Sequence, residues 1–283
     1  MMPAAGRLWL GVIGDPVEQS ISPAMHQPAL DAMRIPATYE RWPTSLEELP
    51  GRIASLRAID VLGANVTVPH KEHVLPLVDE TTTLARRAGA VNTILNRNGR
   101  LYGDNTDVYG LVRSLRLHQD ALDGCQAVVL GAGGAARAVV LALESAGAGK
   151  ISVLNRSLDR AERLRDDLAP APVVAVQSDT SAAVEALETA DIIVNATALG
   201  WKRGETPLAP EQIALLRNDA LVVDLTYRNT DLLDAARARG LRTLDGLEML
   251  VFQGARSLQI WTGKEPPVEI MLEAAHTARA ARA

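Results

Sequence analysis

The sequence predicts an α/β protein of two domains, and three observations support that prediction. An apolar run ends in a glycine-rich turn at residues 131–135, and strand patterns alternate with helix patterns on both sides of it. Two helix patterns near the carboxyl end, from about Leu247 and from about Val268, have no strand beside them. We therefore predict a Rossmann-type domain at residues 105–243 and an α/β domain at residues 1–104, which the helices of residues 244–283 complete.

The composition is that of a globular protein and excludes several classes. The 283 residues are 47% hydrophobic and 22% charged, which suits one large or two ordinary domains. A formal net charge of −5 without a basic run argues against a nucleic-acid partner. Glycine or polar residues interrupt every long apolar stretch and no cleavable signal is visible, so we expect a cytoplasmic protein without a membrane partner.

Cysteine and histidine do not indicate a metal site. Cys125 is the only cysteine, which excludes an intrachain disulfide and a cysteine-cluster metal site. His70 and His73 are spaced to face one ion from a helix, but no second pair or nearby cysteine completes a coordination shell. We expect no metal.

The first domain alternates strands and helices. Strand patterns cover residues 8–13, 37–42 and 61–68, and helix patterns follow the first two. The first helix is expected to begin with Ser22 as its capping residue and Pro23 at its first position. This alternation predicts a parallel sheet covered on both faces. Asn98 and Gly99, between the strand patterns 90–96 and 100–102, predict a β-hairpin.

Residues 126–156 predict the first βαβ unit of the second domain. The β-branched run at 127–130 enters the glycine turn, a small-residue helix follows, and a second strand covers 150–154. Gly131, Gly133 and Ala136 hold the positions that permit a tight turn, the approach of a pyrophosphate and close helix packing. The pyrophosphate is expected at the helix N-terminus, against Gly131, Ala132, Gly133, Gly134 and Ala135.

The end of the second strand predicts the cofactor. An NAD site carries an acidic residue there, which accepts hydrogen bonds from the ribose 2′-hydroxyl. This chain has Asn155, Arg156 and Ser157, with Arg160 one turn later. A carboxylate would repel a 2′-phosphate, whereas arginine and serine donate to it, so these residues predict NADP. The alternative is that both arginines are ordinary solvated charges.

Further polar residues stand at strand ends and in loops, where ligands of α/β sheets bind. These donors and acceptors suit a small polyol acid: Ser20, Ser22, Thr67, Lys71, Asn92, Asp107, Asn195, Thr197, Tyr227 and Gln253. Lys71 and Asp107 are the only oppositely charged pair among them, and redox chemistry at a carbinol needs a proton donor or acceptor. For each hydroxyl alone, a turn or cap hydrogen bond is the alternative, and for Lys71 a solvated position at a helix start.

The ordered segments together resemble the shikimate dehydrogenase family, which includes shikimate and quinate dehydrogenases. The resemblance runs from Gly14 to beyond Trp261 and lies in these segments: Gly14–Pro16 with Ser20–Pro23 and His26; Asn65–Lys71; Ala88–Thr93; Asn105–Asp107; Gly131–Ala135; Asn155–Ser157 with Arg160; Asn195–Thr197; Asp224 with Tyr227; and Gly246–Leu250 with Gln253 and Trp261–Gly263.

The resemblance implies a role for each matched residue. Ser20 and Ser22 would hold the substrate carboxylate. The substrate hydroxyls would contact Thr67, Lys71, Asn92, Asp107 and Gln253, with Tyr227 nearby, and Thr197, Leu225 and Gly246 would contact the cofactor. Gln19 replaces a frequent histidine, and residues 228–231 lack the prolines usual after the tyrosine.

The resemblance also implies an activity. We expect an NADP-dependent, reversible reduction of 3-dehydroshikimate to shikimate in aromatic amino acid biosynthesis, by a monomer or homodimer. Lys71 and Asp107 would be the catalytic residues. A quinate or dual quinate/shikimate dehydrogenase is the nearest alternative. A non-catalytic sensor of NADP and metabolite is another, although a sensor has no need of Lys71 and Asp107 together.

Overall fold

The computed structural model describes residues 6–119, 122–200, 202 and 204–282. The chain divides into two compact units: unit 1 is Met1–Gly110 with Val251–Ala283, and unit 2 is Leu111–Leu250. Each has its own six-stranded sheet, so the predicted two-domain α/β class is confirmed. The predicted domain limits, 1–104 with 244–283 and 105–243, stay a prediction, because compactness does not show which residues bind substrate or cofactor.

The elements follow one another in chain order. The first part of the chain contains β1 (Leu8–Gly14), α1 (Ser22–Ala32), β2 (Ala37–Pro43), α2 (Leu49–Ser55), β3 (Val61–Val66), a 3-10 helix (Leu75–Leu77), β4 (Glu80–Thr81), α3 (Thr83–Ala88), β5 (Thr93–Arg97), β6 (Arg100–Asp104) and α4 (Asp107–His118). Then come β7 (Gln126–Leu130), α5 (Gly134–Ser145), β8 (Lys150–Asn155), α6 (Leu158–Asp167), β9 (Val173–Gln177), α7 (Ser181–Thr189), β10 (Ile192–Asn195), α8 (Pro210–Leu215), β11 (Leu221–Asp224), α9 (Asp231–Ala238), β12 (Arg242–Leu244), α10 (Leu247–Thr262) and α11 (Val268–Ala280).

The sheet of unit 1 is mixed: the parallel arrangement predicted from the first three strands is confirmed, and antiparallel strands are added to it. Its strand order is β2-β1-β3-β5-β6-β4. Strand β1 pairs in parallel with β2 and β3, but β5 pairs antiparallel with β3 and β6. The predicted hairpin joins β5 to β6: Asn98 and Gly99 both have positive φ, 54° and 84°, as a tight two-residue hairpin turn requires. That turn reverses the chain direction within the sheet.

Two short strands were not predicted. Strand β4 has two residues and β12 has three. The alternation of side chains is a repeat of two residues, so segments this short carry no periodic signal. The predicted strand at 90–96 begins instead at Thr93, which leaves Asn92 in the connection before it.

Unit 1 has an apolar core under the candidate site residues. Buried side chains from α2, β3, β5 and β6 form one cluster that includes Ile53, Val66, Ile94 and Leu101. Helix α1 buries Met25, Ala29 and Leu30 completely. Because densely packed interiors hold side chains in single rotamers, this core fixes the strand ends that carry the polar residues.

Unit 2 has the predicted dinucleotide-binding topology. All six strands are parallel, in the order β12-β11-β10-β7-β8-β9. The first strand of the unit, β7, lies in the middle, and the chain moves outward from it in one direction and then in the other. Ligands of such sheets bind beyond the strand C-termini at this point of reversal. The turn after β7 is the glycine turn.

Within the described ranges, no helix is long and apolar enough to cross a membrane.

The contact at Gly63 yields a stability prediction. A Cβ added there would lie 2.1 Å from the Ile94 carbonyl oxygen and 2.5 Å from Trp261 Nε1. Trp261 Nε1 donates to that same oxygen at 2.8 Å. We expect Gly63→Ala to lower the free energy of unfolding by about 1–3 kcal/mol, as overpacking does, in urea titrations.

Gly51 provides the matched control. It lies within α2 and an added Cβ would meet nothing within 4 Å. Gly51→Ala should leave stability unchanged or raise it by about 0.5–1 kcal/mol, because alanine is the better helix former. Equal midpoints for the two variants would contradict the packing argument.

Candidate active site

Lys71 and Asp107, at the ends of different elements of unit 1, form an ion pair. Lys71 follows β3, and Asp107 is the first residue of α4, where a carboxylate interacts favourably with the helix dipole. The distance between Lys71 Nζ and Asp107 Oδ2 is 2.7 Å, and the side chains are 30% and 12% exposed. The pair predicted from the sequence therefore meets. An ammonium has three donors, so Lys71 can donate to a further acceptor.

The side chain of Asn92 holds the other oxygen of that carboxylate. Asn92 Nδ2 lies 2.9 Å from Asp107 Oδ1, 3.1 Å from Gln253 Oε1 and 3.0 Å from Thr106 Oγ1. Asn92 Oδ1 accepts from the Thr106 amide at 2.7 Å. Asn92 is 2% exposed, and a buried amide with both ends hydrogen-bonded has a fixed orientation. The structure thus brings together Asn92, Asp107 and Gln253, three of the candidate site residues.

A layer of buried polar residues behind Asn92 was not predicted. Ser257 Oγ lies 2.7 Å from Thr93 Oγ1, 3.1 Å from Thr106 Oγ1 and 2.9 Å from Asn65 Nδ2. Tyr39 donates to Asn65 Oδ1 at 2.7 Å. Ser257 stands four residues after Gln253 on α10, so the helical repeat puts both on one face. The four-residue spacing from Gln253 was the sequence signal from which Ser257 could have been predicted.

Ser20 and Ser22 form a second group, the serine loop (Gln19–Ser22). Ser20 Oγ donates to Ser22 Oγ at 3.1 Å and accepts from the Ser22 amide at 3.2 Å. The prediction that Ser22 caps α1 was wrong: Ile21 occupies the capping position, without a side-chain cap hydrogen bond, and Ser22 is the first helical residue. The Ser22 hydroxyl therefore does not cap α1.

His26 packs beneath this loop. It is fully buried and stacks on Tyr39 with ring centroids 4.1 Å apart. Its Nδ1 lies 2.9 Å from the Ser22 carbonyl oxygen and its Nε2 lies 3.3 Å from that of Gly254. Burial lowers the pKa of His26 from 6.5 to about 4, against the two backbone hydrogen bonds, which raise it.

Thr67 is half-buried after β3, where its methyl carbon faces Gly14. A Cβ on Gly14 would lie 2.5 Å from Thr67 Cγ2. Glycine at position 14 therefore allows the two segments to approach.

The glycine turn of unit 2 has the shape that a pyrophosphate needs. Gly131 has φ 99°, and a Cβ there would lie 2.9 Å from Thr197 Cγ2. Gly133 precedes α5, and a Cβ there would meet nothing within 4 Å, so the space before the helix N-terminus is open. Ala136 is completely buried. Backbone amides at a helix start can bind an anion, and residues 131–135 lie at the start of α5.

The end of β8 fits a 2′-phosphate. Arg156, Ser157 and Arg160 are all exposed. Ser157 is the capping residue of α6 but makes no side-chain cap hydrogen bond, and Asn155 Nδ2 donates to its carbonyl oxygen at 2.9 Å. In the described part of the chain neither arginine forms an ion pair. Charged donors without partners suit a dianionic phosphate.

Asp224 and Asn195 organise the loops that follow β10 and β11. Asp224 is completely buried and accepts at 3.0 Å from the Thr226 amide, from Thr230 Oγ1 and from Asn195 Nδ2. Asn195 Oδ1 accepts from the amide of Thr197 at 3.0 Å and from its hydroxyl at 2.7 Å. This network, whose role was not predicted, holds Thr197 in place.

Leu225, Tyr227 and Gly246 lie beside that network. Leu225 and Tyr227 are half-buried, and Gly246 is buried. A Cβ on Gly246 would lie 2.0 Å from the Leu225 carbonyl oxygen, and its amide donates to the Thr226 carbonyl at 2.8 Å. Only glycine allows this backbone contact.

No group of three or more histidine, cysteine, aspartate or glutamate side chains among the described residues is arranged to hold a metal ion.

The parallel sheet and glycine turn of unit 2 define a dinucleotide-binding protein. Three family profiles match: the shikimate dehydrogenase substrate binding domain at residues 12–94, shikimate/quinate 5-dehydrogenase at 114–231, and the shikimate 5′-dehydrogenase C-terminal domain at 246–276. The chain is 45% identical to the shikimate dehydrogenase (NADP(+)) of Symbiobacterium thermophilum over 276 residues, 95% of this chain and 94% of the relative. It belongs to the shikimate dehydrogenase family.

Solved structures agree with that assignment. Shikimate 5-dehydrogenase of Thermus thermophilus, in complex with NADP(H) and shikimate, superposes with a TM-score of 0.86 at 40% identity, covering 96% of this chain and 99% of that one. Quinate dehydrogenase of Corynebacterium glutamicum, in complex with NAD, has a TM-score of 0.86 at 34% identity and covers 95% and 99%. The fold is therefore common to enzymes of both substrates.

The buried His26 makes stability depend on pH. Because its pKa is about 4 in the folded protein and 6.5 unfolded, the unfolded chain binds a proton more readily between these values. The contribution of neutral His26 to the free energy of unfolding is therefore fully present above pH 6.5 and is lost as the pH falls towards 4. We expect a loss on the order of 3 kcal/mol over that range.

Urea unfolding at several pH values, followed by tryptophan fluorescence, measures this dependence. The matched variant is His26→Asn, whose amide nitrogen can replace Nδ1 as the donor to the Ser22 carbonyl but does not titrate. Its unfolding free energy should fall less steeply between pH 6.5 and 4.5 than that of the wild type. Identical slopes for both proteins would show that His26 is not the group responsible.

Proposed function

We propose that this chain is an NADP-dependent shikimate dehydrogenase, which reversibly reduces 3-dehydroshikimate to shikimate in aromatic biosynthesis. The observation that supports this best is the Lys71–Asp107 pair at 2.7 Å, whose second carboxylate oxygen is held by Asn92. It provides one proton-carrying group in a fixed position among hydroxyl-binding side chains. A sensor that only binds ligands would not need to bury part of an ion pair in this way.

The substrate is an anion with several hydroxyls, and the site offers donors for both. In the proposal, the Ser20 and Ser22 hydroxyls donate to the carboxylate. The substrate hydroxyls contact Thr67, Lys71, Asn92, Asp107 and Gln253. Hydrogen bonds from polar groups that are already oriented give affinity without a large ordering cost. Tyr227 is included on the family resemblance alone.

In the proposal, Lys71 and Asp107 carry out the proton transfer that accompanies hydride transfer. Oxidation of a carbinol removes a hydride from carbon and a proton from the hydroxyl, and reduction reverses both. Lys71 Nζ donates to the reacting oxygen, so it can return a proton to a forming alkoxide and stabilise its charge. Asp107 holds the ammonium in position. Asp107, whose Oδ2 lies 2.7 Å from Lys71 Nζ, is the alternative proton carrier.

NADP supplies or accepts the hydride when it is bound. The chain's own residues bind and orient it. The amides at the start of α5 receive the pyrophosphate, and Arg156, Ser157 and Arg160 receive the 2′-phosphate, while Asn155 holds the Ser157 backbone. Thr197, Leu225 and Gly246 form the proposed remainder of the cofactor contacts.

Quinate is the second candidate substrate, because a quinate dehydrogenase shares the fold at 34% identity. It differs by an additional ring hydroxyl, for which the site would need a partner. Two further parts of the proposal are that the enzyme is cytoplasmic and that it is a monomer or homodimer. Cell fractionation would test the location, and light scattering of the purified protein would test the oligomeric state.

The function is tested by steady-state kinetics of the purified protein. Shikimate and quinate are each offered with NADP and with NAD, and the change in nicotinamide absorbance is followed. The proposal expects the highest kcat/KM with shikimate and NADP. Comparable turnover of quinate would support a dual enzyme instead, and no turnover with either substrate would refute the enzymatic proposal.

Lys71→Met tests the proton carrier. Positioned acid-base catalysis contributes about a hundred- to ten-thousandfold, so kcat should fall by that order while the KM for shikimate changes modestly. Lys264→Met, at an exposed lysine after α10, is the charge-matched control and should retain full activity. A near-normal kcat with a raised KM would make Lys71 a binding residue.

Arg156→Ala tests cofactor choice. Hydrogen bonds to a charged group contribute about 1.5–3 kcal/mol, so kcat/KM for NADP should fall roughly tenfold to a hundredfold while that for NAD is spared. Arg116→Ala, at an exposed arginine of α4, controls for the lost charge. Equal losses with both cofactors would contradict recognition of the 2′-phosphate by Arg156.

A further inference from the structure

The backbone of the serine loop is held by guanidinium groups from outside the loop. Arg41 donates from Nε and from Nη2 to the Ser20 carbonyl oxygen, at 3.0 and 2.8 Å. Arg282, after α11, donates to the Gln19 carbonyl and lies 3.5 Å from that of Ser20. Two cations therefore lie at the loop whose hydroxyls are the proposed donors to the substrate carboxylate.

The fold fixes Arg41 more firmly than Arg282. Arg41 is on β2, and its Cα is in register with Val12 of β1. Its two donors share one acceptor, so the plane of the guanidinium is set as well as its distance. Arg282 lies beyond the end of α11. Arg41 is therefore the stronger candidate for a defined role.

The charge of Arg41 is not neutralised by an acidic partner. Within the described ranges, no carboxylate forms an ion pair with it. The side chain is exposed, so its field is screened by water and salt. Even so, a fixed cation that contacts the residue bearing the anion-binding hydroxyl favours an anion there over a neutral group.

We propose that Arg41 is a positioning residue that determines the preference for a carboxylate-bearing substrate. By holding the Ser20 carbonyl, it fixes the loop in the conformation in which the Ser20 and Ser22 hydroxyls are paired, at 3.1 Å, on one side of the loop. Its charge adds attraction for the carboxylate. This inference rests on the proposed function, in which that serine pair binds the carboxylate.

The proposal predicts an effect on binding and not on the chemical step. Arg41 does not contact the Lys71–Asp107 pair, whose partners are Asn92 and the residues around it. Loss of the guanidinium should therefore raise the KM for shikimate by about tenfold, as loss of a charge-assisted hydrogen bond does. The kcat should stay within about twofold.

The experiment compares shikimate with its methyl ester, which keeps the ring hydroxyls but lacks the negative charge. The variants are Arg41→Met, Arg41→Lys and, as a matched control, Arg97→Met. Arg97 is an exposed arginine of the same unit that stacks on Tyr102 at 5.7 Å. KM and kcat are measured for both compounds, with inhibition constants against shikimate where the ester turns over too slowly.

We expect Arg41→Met to raise the KM for shikimate about tenfold and to raise the KM or inhibition constant of the methyl ester much less. Arg41→Lys should lie between, since it keeps the charge but loses the paired donors. Arg97→Met should match the wild type. Equal effects on acid and ester, an effect on kcat alone, or no difference from Arg97→Met would overturn the proposal.

Folding and function are checked separately. Thermal unfolding of each variant shows whether it is folded. If Arg41→Met does not fold, the comparison is made with Arg41→Lys. Failure of the wild type to oxidise shikimate would refute the proposed function itself. An active wild type whose Arg41 variants have an unchanged shikimate KM would refute only the role of Arg41.

Discussion

The carboxylate of Asp107 is the interaction on which the candidate site depends. Its two oxygens face different partners, Lys71 Nζ at 2.7 Å and Asn92 Nδ2 at 2.9 Å. A mostly buried carboxylate is tolerated only when a counter-charge and hydrogen bonds replace water. Because Lys71, Asn92 and Asp107 follow or begin different elements, one carboxylate fixes where three segments of unit 1 meet.

Unit 2 uses a carboxylate in the opposite way. Asp224 is completely buried but accepts hydrogen bonds from neutral donors, an amide, a hydroxyl and the side chain of Asn195. Those partners hold loops, and none of them is charged. Asp107 is instead paired with the Lys71 ammonium, which can donate to a further atom. The contrast separates a carboxylate that holds loops from one that, in the proposed function, supports a reaction.

Local signals in the sequence were sufficient where the structure depends on neighbours in the chain. The glycine turn at 131–135 and the hairpin at Asn98 are of this kind, and both are present. Contacts between distant segments were not predictable in the same way. Ser257 meets Asn65 across 192 positions, and no spacing rule relates them. Ser22 was expected to cap a helix, but Ile21, which has no hydroxyl, takes that place, because a capping preference does not determine at which residue the fold begins the helix.

The position of bound shikimate tests the central claim most directly. A crystal structure of the protein with shikimate should show its carboxylate on the Ser20 and Ser22 hydroxyls and a ring hydroxyl within hydrogen-bond distance of Lys71 Nζ. An anion could instead pair with the Lys71 ammonium, since charge attraction alone favours that contact. A structure with the carboxylate on Lys71 and no ring hydroxyl near it would contradict the account.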